Sequence, residues 1–155
     1  MKNKLNCAES TSNSGLLEDL SDAVILIAED DRDLLASLKL RCESIGCTVI
    51  AVDDALSALS CADFANPSLI ILDVQMPNGN GLAVCEMLAT SVSFADIPVI
   101  VHTGKNDSET VSRCVKFGAH HVTKSTNSWS DLEPLIRNLL ADRKHRYLTH
   151  MLNVR

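Results

Sequence analysis

The 155-residue sequence has no apolar run long enough to cross a membrane, and its start, Met-Lys-Asn-Lys-Leu-Asn-Cys, lacks the apolar stretch of a signal peptide. Basic residues are also scarce, since 14 lysines and arginines against 20 acids give a formal net charge of −6. Nucleic-acid binding needs a basic face that neutralises phosphates. The sequence therefore predicts a cytoplasmic protein that binds neither membranes nor nucleic acid.

The cysteines and histidines form no metal-binding spacing. No C-x-x-C occurs, and five of the six cysteines fall in segments predicted to be helical or core-facing, so we expect buried, reduced thiols. Neighbouring residues of a strand point to opposite faces. His120 and His121 therefore cannot share a metal ion, and His102 faces away from Thr103. The cysteines are Cys7, Cys42, Cys47, Cys61, Cys85 and Cys114.

Short apolar runs alternate with helical patterns along the chain. The runs are three to five residues long and bounded by turn or cap residues, as expected of buried parallel strands. Between them, apolar residues at intervals of three and four predict amphipathic helices. Repeated βα units predict an α/β fold with a doubly wound, five-stranded parallel sheet. The predicted strands are 24–28, 48–52, 69–72, 99–101 and 120–123.

The composition divides the chain into three parts. Residues 1–21 are mostly polar and small, which predicts a disordered leader. Residues 22–143 carry the alternating pattern and make one domain of ordinary size. Residues 144–155 are a C-terminal extension whose apolar residues have a spacing that could continue the last helix. No second domain fits in the remaining length, so we expect a stand-alone domain.

Polar side chains follow four of the predicted strands, at the point where each strand ends. They are the pair Glu29 and Asp30, then Asp73, Thr103 and Lys124. Because parallel strands place their carboxyl ends on one edge of the sheet, these side chains should converge in one crevice. Three carboxylates at close range repel one another unless a cation lies among them. The set therefore predicts a site for a divalent cation and a phosphoryl group.

The same segments resemble the receiver domain of two-component response regulators of the stand-alone, chemotaxis-regulator type. The match runs from about residue 22 to 141, and the resemblance implies a flavodoxin-like (βα)5 fold with strand order 2-1-3-4-5. The matching segments are Val-Ile-Leu-Ile-Ala-Glu-Asp-Asp (24–31), Leu-Ile-Ile-Leu-Asp-Val-Gln-Met-Pro-Asn-Gly-Asn-Gly (69–81), Ile-Pro-Val-Ile-Val-His-Thr-Gly (97–104) and Gly-Ala-His-His-Val-Thr-Lys-Ser (118–125).

The resemblance assigns a phosphoryl-transfer role to three of these residues. Asp73 is the expected phosphoacceptor, which takes the group from a sensor histidine kinase or a phosphotransfer protein and becomes an aspartyl phosphate. Lys124 supplies a positive charge to the phosphoryl oxygens, and Thr103 supplies a hydroxyl donor, with the small Gly104 leaving room for the group. We expect no enzymatic activity beyond the protein's own phosphorylation and dephosphorylation.

The expected cofactor is Mg²⁺. By comparison with the family, Asp30 is a direct ligand and Glu29 a water-mediated one. Asp73 and the backbone carbonyl of Gln75 complete the protein's share of the octahedral positions. Asp31 is instead expected to be the first-turn acid of the first helix, because acids are favoured at helix N-termini.

Two departures from the commonest receiver pattern concern switching. Ser125 stands where the family usually has a proline after the lysine, and we expect a trans peptide bond there, since a cis bond before a residue other than proline is costly. His121 stands at the position of a switch aromatic, so Thr103 and His121 are the expected switch pair. The expected output is phosphorylation-dependent contact with an unknown downstream protein, or a homodimer, through the fourth helix, fifth strand and fifth helix.

Three alternatives stay open at this point. The chain could be a degenerate receiver that acts as an unphosphorylated interaction module. It could be an aspartate-nucleophile phosphatase, although such enzymes need a second acid two residues after the nucleophile, and Gln75 occupies that position. A flavin-binding flavodoxin is disfavoured because Glu-Asp-Asp follows the first strand in place of Ser, Thr and Gly.

Overall fold

The computed structural model describes residues 19–153, which form a five-stranded parallel sheet flanked by helices on both faces. The strand order is β2-β1-β3-β4-β5, so the predicted fold class and the predicted order 2-1-3-4-5 are both confirmed. The strands are β1 (Val24–Ala28), β2 (Thr48–Val52), β3 (Leu69–Leu72), β4 (Val99–Thr103) and β5 (His120–Thr123).

Five helices connect and follow these strands. Polar residues begin four of them: Asp31, Asp54, Asn80 and Asp107 each accept hydrogen bonds from backbone N–H groups of the first helical turn. Asp31 is therefore a helix cap, in agreement with its expected place at the start of the first helix. The helices are α1 (Arg32–Ser44), α2 (Ala55–Ala65), α3 (Gly81–Thr90), α4 (Ser108–Lys116) and α5 (Ser128–Asn153).

The core consists of two layers, one on each face of the sheet. Apolar residues of α2, α3 and α4 pack on one face, and those of α1 and α5 pack on the other. β1 and β3 lie in the middle, and nearly all of their residues are buried, as in sheets covered on both sides. This arrangement leaves the carboxyl edge of the sheet free to present polar side chains.

Three features differ from the sequence pattern or extend it. β4 continues to Thr103, two residues beyond the predicted run. Gln75–Met76 and Gly79–Asn80 pair as a short antiparallel hairpin in addition to the five predicted strands. α5 is 26 residues long and reaches Asn153, so residues 144–153 continue it.

The predicted leader falls mainly on residues 1–18, which lie outside the described residues. Leu20, at its predicted end, is buried in the core on the α1 and α5 side. None of the helices within residues 19–153 combines the length and apolar character needed to cross a lipid bilayer.

The described cysteines agree with the predicted reduced thiols. Cys42, Cys47, Cys85 and Cys114 are free and buried, and Cys61 is free and half-buried, whereas Cys7 lies outside the described residues. Burial raises the pKa of Cys42 to about 12, with small additions from neighbouring groups, so this thiol stays protonated at neutral pH.

Candidate functional site

The carboxyl edge of the sheet brings the predicted site residues together. Ala28 of β1 pairs in register with Leu72 of β3, and this pairing places the residues that follow them, Glu29 and Asp73, side by side. On the other side, the backbone N–H of Lys124 donates to the carbonyl oxygen of Thr103 at 2.9 Å. The parallel register thus assembles the site that the sequence predicted.

Lys124 forms the closest contacts within the site. Its Nζ lies 2.8 Å from Oδ2 of Asp73, and 2.9 and 2.7 Å from Oε1 and Oε2 of Glu29. Both carboxylates are almost fully buried, while the lysine side chain keeps 24% of its surface exposed. One ammonium therefore bridges two carboxylates from different strands.

The pKa values of these groups are shifted by their surroundings. Burial raises the pKa of Glu29, the Asp73 charge adds to this, and the hydrogen bond from Lys124 opposes it. Burial would by itself lower the pKa of Lys124, but its hydrogen bonds to Asp73 and Glu29 and the charges of both outweigh burial and raise its pKa. The balance differs because Glu29 is buried beside a second carboxylate, whereas Lys124 reaches solvent.

The three acids form a group that could hold a metal ion. Ligand oxygens of Glu29, Asp30 and Asp73 all lie within 4.8 Å of one another. Glu29 and Asp73 are buried and Asp30 is exposed, so the group opens to solvent on the side of Asp30. Three carboxylates and one ammonium leave two negative charges, and hard divalent cations prefer oxygen ligands. The donor set therefore fits Mg²⁺.

Thr103 is buried at the end of β4, and its surroundings connect it to His121. Its Oγ1 accepts a hydrogen bond from the backbone N–H of Lys105 at 3.3 Å. The Nε2 atom of His121 lies 2.9 Å from the backbone carbonyl oxygen of the same Lys105. The two expected switch residues thus contact one loop residue.

Gln75 lies two residues beyond Asp73, at the start of the short hairpin, with an exposed side chain. The role of its backbone carbonyl as a metal ligand stays a prediction. The hairpin also brings Gly81 against the site: a Cβ atom added at Gly81 would lie 1.8 Å from the backbone oxygen of Asp73. Only glycine fits there. The spacing of apolar and polar residues carried no signal for this contact.

The Asp73 carboxylate is also held by its own backbone. Its Oδ1 accepts a hydrogen bond from the N–H of Val74 at 2.6 Å, while Oδ2 accepts from Lys124.

The peptide bond that follows Lys124 has the expected geometry. No cis peptide bond occurs within residues 19–153. The Lys124–Ser125 bond is therefore trans, which confirms the prediction made from the serine.

Comparisons with known proteins agree on one family. A family model described as the response regulator receiver domain matches residues 25–133. Among curated proteins, the probable transcriptional regulator ycf27 of Cyanophora paradoxa is 32% identical over 116 residues, which are 75% of this chain and 47% of that protein. The chain thus spans about half the length of this relative.

Solved structures show the same fold. A CheY-like response regulator receiver domain protein from Methanospirillum hungatei has a TM-score of 0.74 at 24% identity, covering 80% of this chain and 98% of that one. The response regulator TrrA from Thermotoga maritima, solved in complex with Mg²⁺ and BeF, has a TM-score of 0.67 at 25% identity, covering 76% and 98%.

Proposed function

Since the chain belongs to the response regulator receiver family, we propose that it accepts a phosphoryl group on Asp73 and signals through that modification. The observation that supports this most directly is the buried Asp73 carboxylate, with Lys124 Nζ 2.8 Å from Oδ2 and two further carboxylates beside it. A nucleophile of this kind needs cations to balance the charge of the incoming phosphoryl group. The site provides one fixed cation and the ligands for a second.

The proposed donor is a phosphohistidine of a sensor histidine kinase or a phosphotransfer protein. A carboxylate oxygen of Asp73 attacks phosphorus, an oxygen–phosphorus bond forms, and the bond to the donor's imidazole nitrogen breaks with its electron pair returning to the ring. Lys124 stabilises the charge on the phosphoryl oxygens. The Thr103 hydroxyl, whose oxygen accepts a hydrogen bond from the Lys105 N–H, donates its own hydrogen to one of them.

Mg²⁺ is the proposed cofactor, held by Asp30, Asp73, the backbone carbonyl of Gln75 and, through water, Glu29. When bound, it would neutralise charge on the carboxylates and on the phosphoryl group. The contacts of Lys124 distinguish Glu29 from Asp30. Both oxygens of Glu29 lie within 2.9 Å of the ammonium, which also contacts Oδ2 of Asp73, whereas Asp30 is exposed and does not contact the lysine. The response regulator TrrA, a protein of similar fold, was solved in complex with Mg²⁺ and BeF, which supports Mg²⁺ as the cofactor proposed here.

The proposed output is a phosphorylation-dependent protein contact at the face formed by α4, β5 and α5. Val111 and Val115 of α4 expose 36% and 73% of their surface, and His121 of β5 lies beside the loop that contacts Thr103. A downstream protein or a second copy of the chain would cover this apolar surface. We also propose that the only chemistry catalysed is the protein's own phosphoryl transfer and dephosphorylation.

Intact mass spectrometry tests the phosphorylation. With Mg²⁺ and acetyl phosphate, the mass should rise by one phosphoryl group, and chelation of Mg²⁺ should prevent the rise. Asp73→Asn should abolish it, while Asp63→Asn, at an exposed acid of α2, should not. Full labelling of the Asp73→Asn protein would refute the proposed acceptor. Sedimentation with and without beryllofluoride would then show whether the modified state self-associates.

A further inference from the structure

His102 is a buried titratable residue that the proposed chemistry does not use. It lies on β4 directly before Thr103 and exposes only 1% of its surface. Its Nε2 is 3.1 Å from the hydroxyl oxygen of Ser128, the first residue of α5. Its Nδ1 has no hydrogen-bond partner within residues 19–153. Burying an imidazole with only one of its two nitrogens hydrogen-bonded costs folding free energy. The contact with Ser128 therefore deserves a functional explanation.

The contact closes the loop that carries the site lysine. At the start of this loop, the N–H of Lys124 donates to the carbonyl oxygen of Thr103 at 2.9 Å. At its end, the Ser128 hydroxyl meets His102. Two consecutive residues of β4 therefore hold both ends of the segment 124–128.

Residues 125–127 provide little restraint of their own. Within the described chain, their hydrogen bonds stay inside the loop and the first turn of α5: Asn127 N–H to Ser125 Oγ, Ser128 N–H to Ser125 O, and Ser130 to Asn127 O. All three residues are exposed. Ser125 also lacks the rigid ring that a proline would place after the lysine, so the loop depends on its two ends.

We propose that His102 is a positioning residue that fixes the end of this loop through Ser128 and so aims the Lys124 ammonium at Asp73. This inference rests on the proposed function, because it assigns His102 a part in phosphoryl transfer. A side chain that holds a catalytic group from behind affects the rate by limiting the orientations of that group. His102 never touches the phosphoryl group.

The surroundings favour a neutral ring. A charged imidazole donates from both nitrogens, and Nδ1 has no acceptor. Burial lowers the pKa of His102 to about 4, the nearby positive charge of Lys124 adds to this, and Asp73 opposes it. Near neutral pH the residue therefore acts through one hydrogen bond and not through its charge. A leucine of similar size would fill the space but leave the Ser128 hydroxyl without its partner.

The test compares initial rates of Asp73 phosphorylation by acetyl phosphate at saturating Mg²⁺, at a temperature where every variant is folded by circular dichroism. His102→Leu and Ser128→Ala should each slow the reaction about three- to tenfold, the effect expected from one lost hydrogen bond. The double variant should be no slower than either single variant. His102→Gln, which keeps an amide N–H near the Nε2 position, should recover most of the rate.

Two further measurements separate positioning from general stability. Ile136→Val, which removes one buried methyl group from α5 eight residues after Ser128 and leaves both polar partners in place, should lower the melting temperature yet keep the wild-type rate. The Mg²⁺ dissociation constant of His102→Leu should change less than about twofold, since the acids are unmoved. A wild-type rate in folded His102→Leu, or an equal loss in Ile136→Val, would overturn the proposal.

A phosphorylation-independent signal distinguishes failure of this proposal from failure of the proposed function. The ammonium group of Lys124, bonded to two buried carboxylates, should give a protected proton–nitrogen NMR correlation. That signal should broaden or exchange faster in His102→Leu and persist in His102→Gln. If the wild-type protein is never labelled but the NMR pattern holds, the proposed function is wrong and the role of His102 in placing Lys124 stands. If labelling occurs but the NMR signal is unchanged in His102→Leu, the positioning role is wrong.

Discussion

The Nε2 atom of His121 lies 2.9 Å from the backbone carbonyl oxygen of Lys105, whose own N–H donates to the Thr103 hydroxyl at 3.3 Å. A single loop residue therefore connects the two side chains expected to switch. If a phosphoryl group on Asp73 draws the Thr103 hydroxyl inward, the Lys105 amide loses its acceptor. The His121 contact with the Lys105 carbonyl then still ties the loop between β4 and α4 to β5.

Replacing His121 should loosen that loop before any phosphorylation. In His121→Phe, the Lys105 carbonyl loses its partner, and amide hydrogen exchange in residues 104–107 should accelerate roughly two- to tenfold, as for the loss of one hydrogen bond. His120→Phe, an exposed residue on the same strand, is the control and should leave this segment unchanged. Equal exchange in the wild-type and His121→Phe proteins would mean that the contact does not hold the loop.

The three acids should contribute unequally to Mg²⁺ binding. Asp30→Asn should weaken binding at least about tenfold, because it removes an exposed ligand that forms no salt bridge within residues 19–153. Glu29→Gln should weaken it only a few-fold, since Lys124 already compensates the Glu29 charge. Asp31→Asn is the matched control, because asparagine also caps a helix and should leave the Mg²⁺ affinity unchanged. Titration calorimetry measures all three, and a larger effect from Asp31 than from Asp30 would contradict the assigned ligands.

Gly81 should tolerate no side chain. In Gly81→Ala, the ideal position of the new Cβ lies 1.8 Å from the carbonyl oxygen of Asp73, so the two atoms would overlap. Either the start of α3 or the backbone of Asp73 must therefore shift. We expect a loss of about 2 kcal/mol or more in the free energy of unfolding, together with slower phosphorylation. Gly104→Ala, where a Cβ meets nothing within 4 Å, should leave unfolding unchanged within about 0.5 kcal/mol. Similar denaturation midpoints for the two variants would contradict this expectation, and would show that the backbone around Gly81 can move at little cost in stability.

Acid should destabilise the protein through His102. Its folded-state pKa is about 4, below the usual 6.5, so between these values the unfolded chain binds a proton that the folded chain does not. Stability from this group is therefore complete above about pH 6.5 and is lost as the pH falls towards 4, by roughly 2 to 3 kcal/mol at pH 4.5.

Urea unfolding at pH 7 and pH 4.5 isolates this contribution when the wild-type protein is compared with His102→Gln. The variant cannot titrate, so its loss between the two pH values should be smaller by that amount, while other groups cancel in the comparison. The same pH dependence in both proteins would show that His102 does not carry the effect.

The amino-acid sequence was sufficient to predict the strands of the parallel sheet and the edge at which the polar side chains meet, while the strand order came from the resemblance to receiver domains. Four of the five predicted strands have the observed bounds, because each is a short apolar run closed by turn or cap residues. The positions of Glu29, Asp73 and Lys124 follow from strand ends in a parallel sheet, where the register brings their residues to one edge. Local patterns and one topological rule were enough for the strands and for the meeting of these side chains at one edge.

Tertiary structure decided how the site is held. The contact between His102 and Ser128 joins residues 26 positions apart, and the overlap of Gly81 with the Asp73 backbone depends on a hairpin whose residues show no apolar alternation. The pairing of Lys124 with both Glu29 and Asp73 likewise depends on the conformation of the loop 124–128, which directs the lysine side chain. Apolar periodicity records which face of an element is buried. It carries no information about which polar atoms meet, because that depends on distances set by the packing of the whole domain.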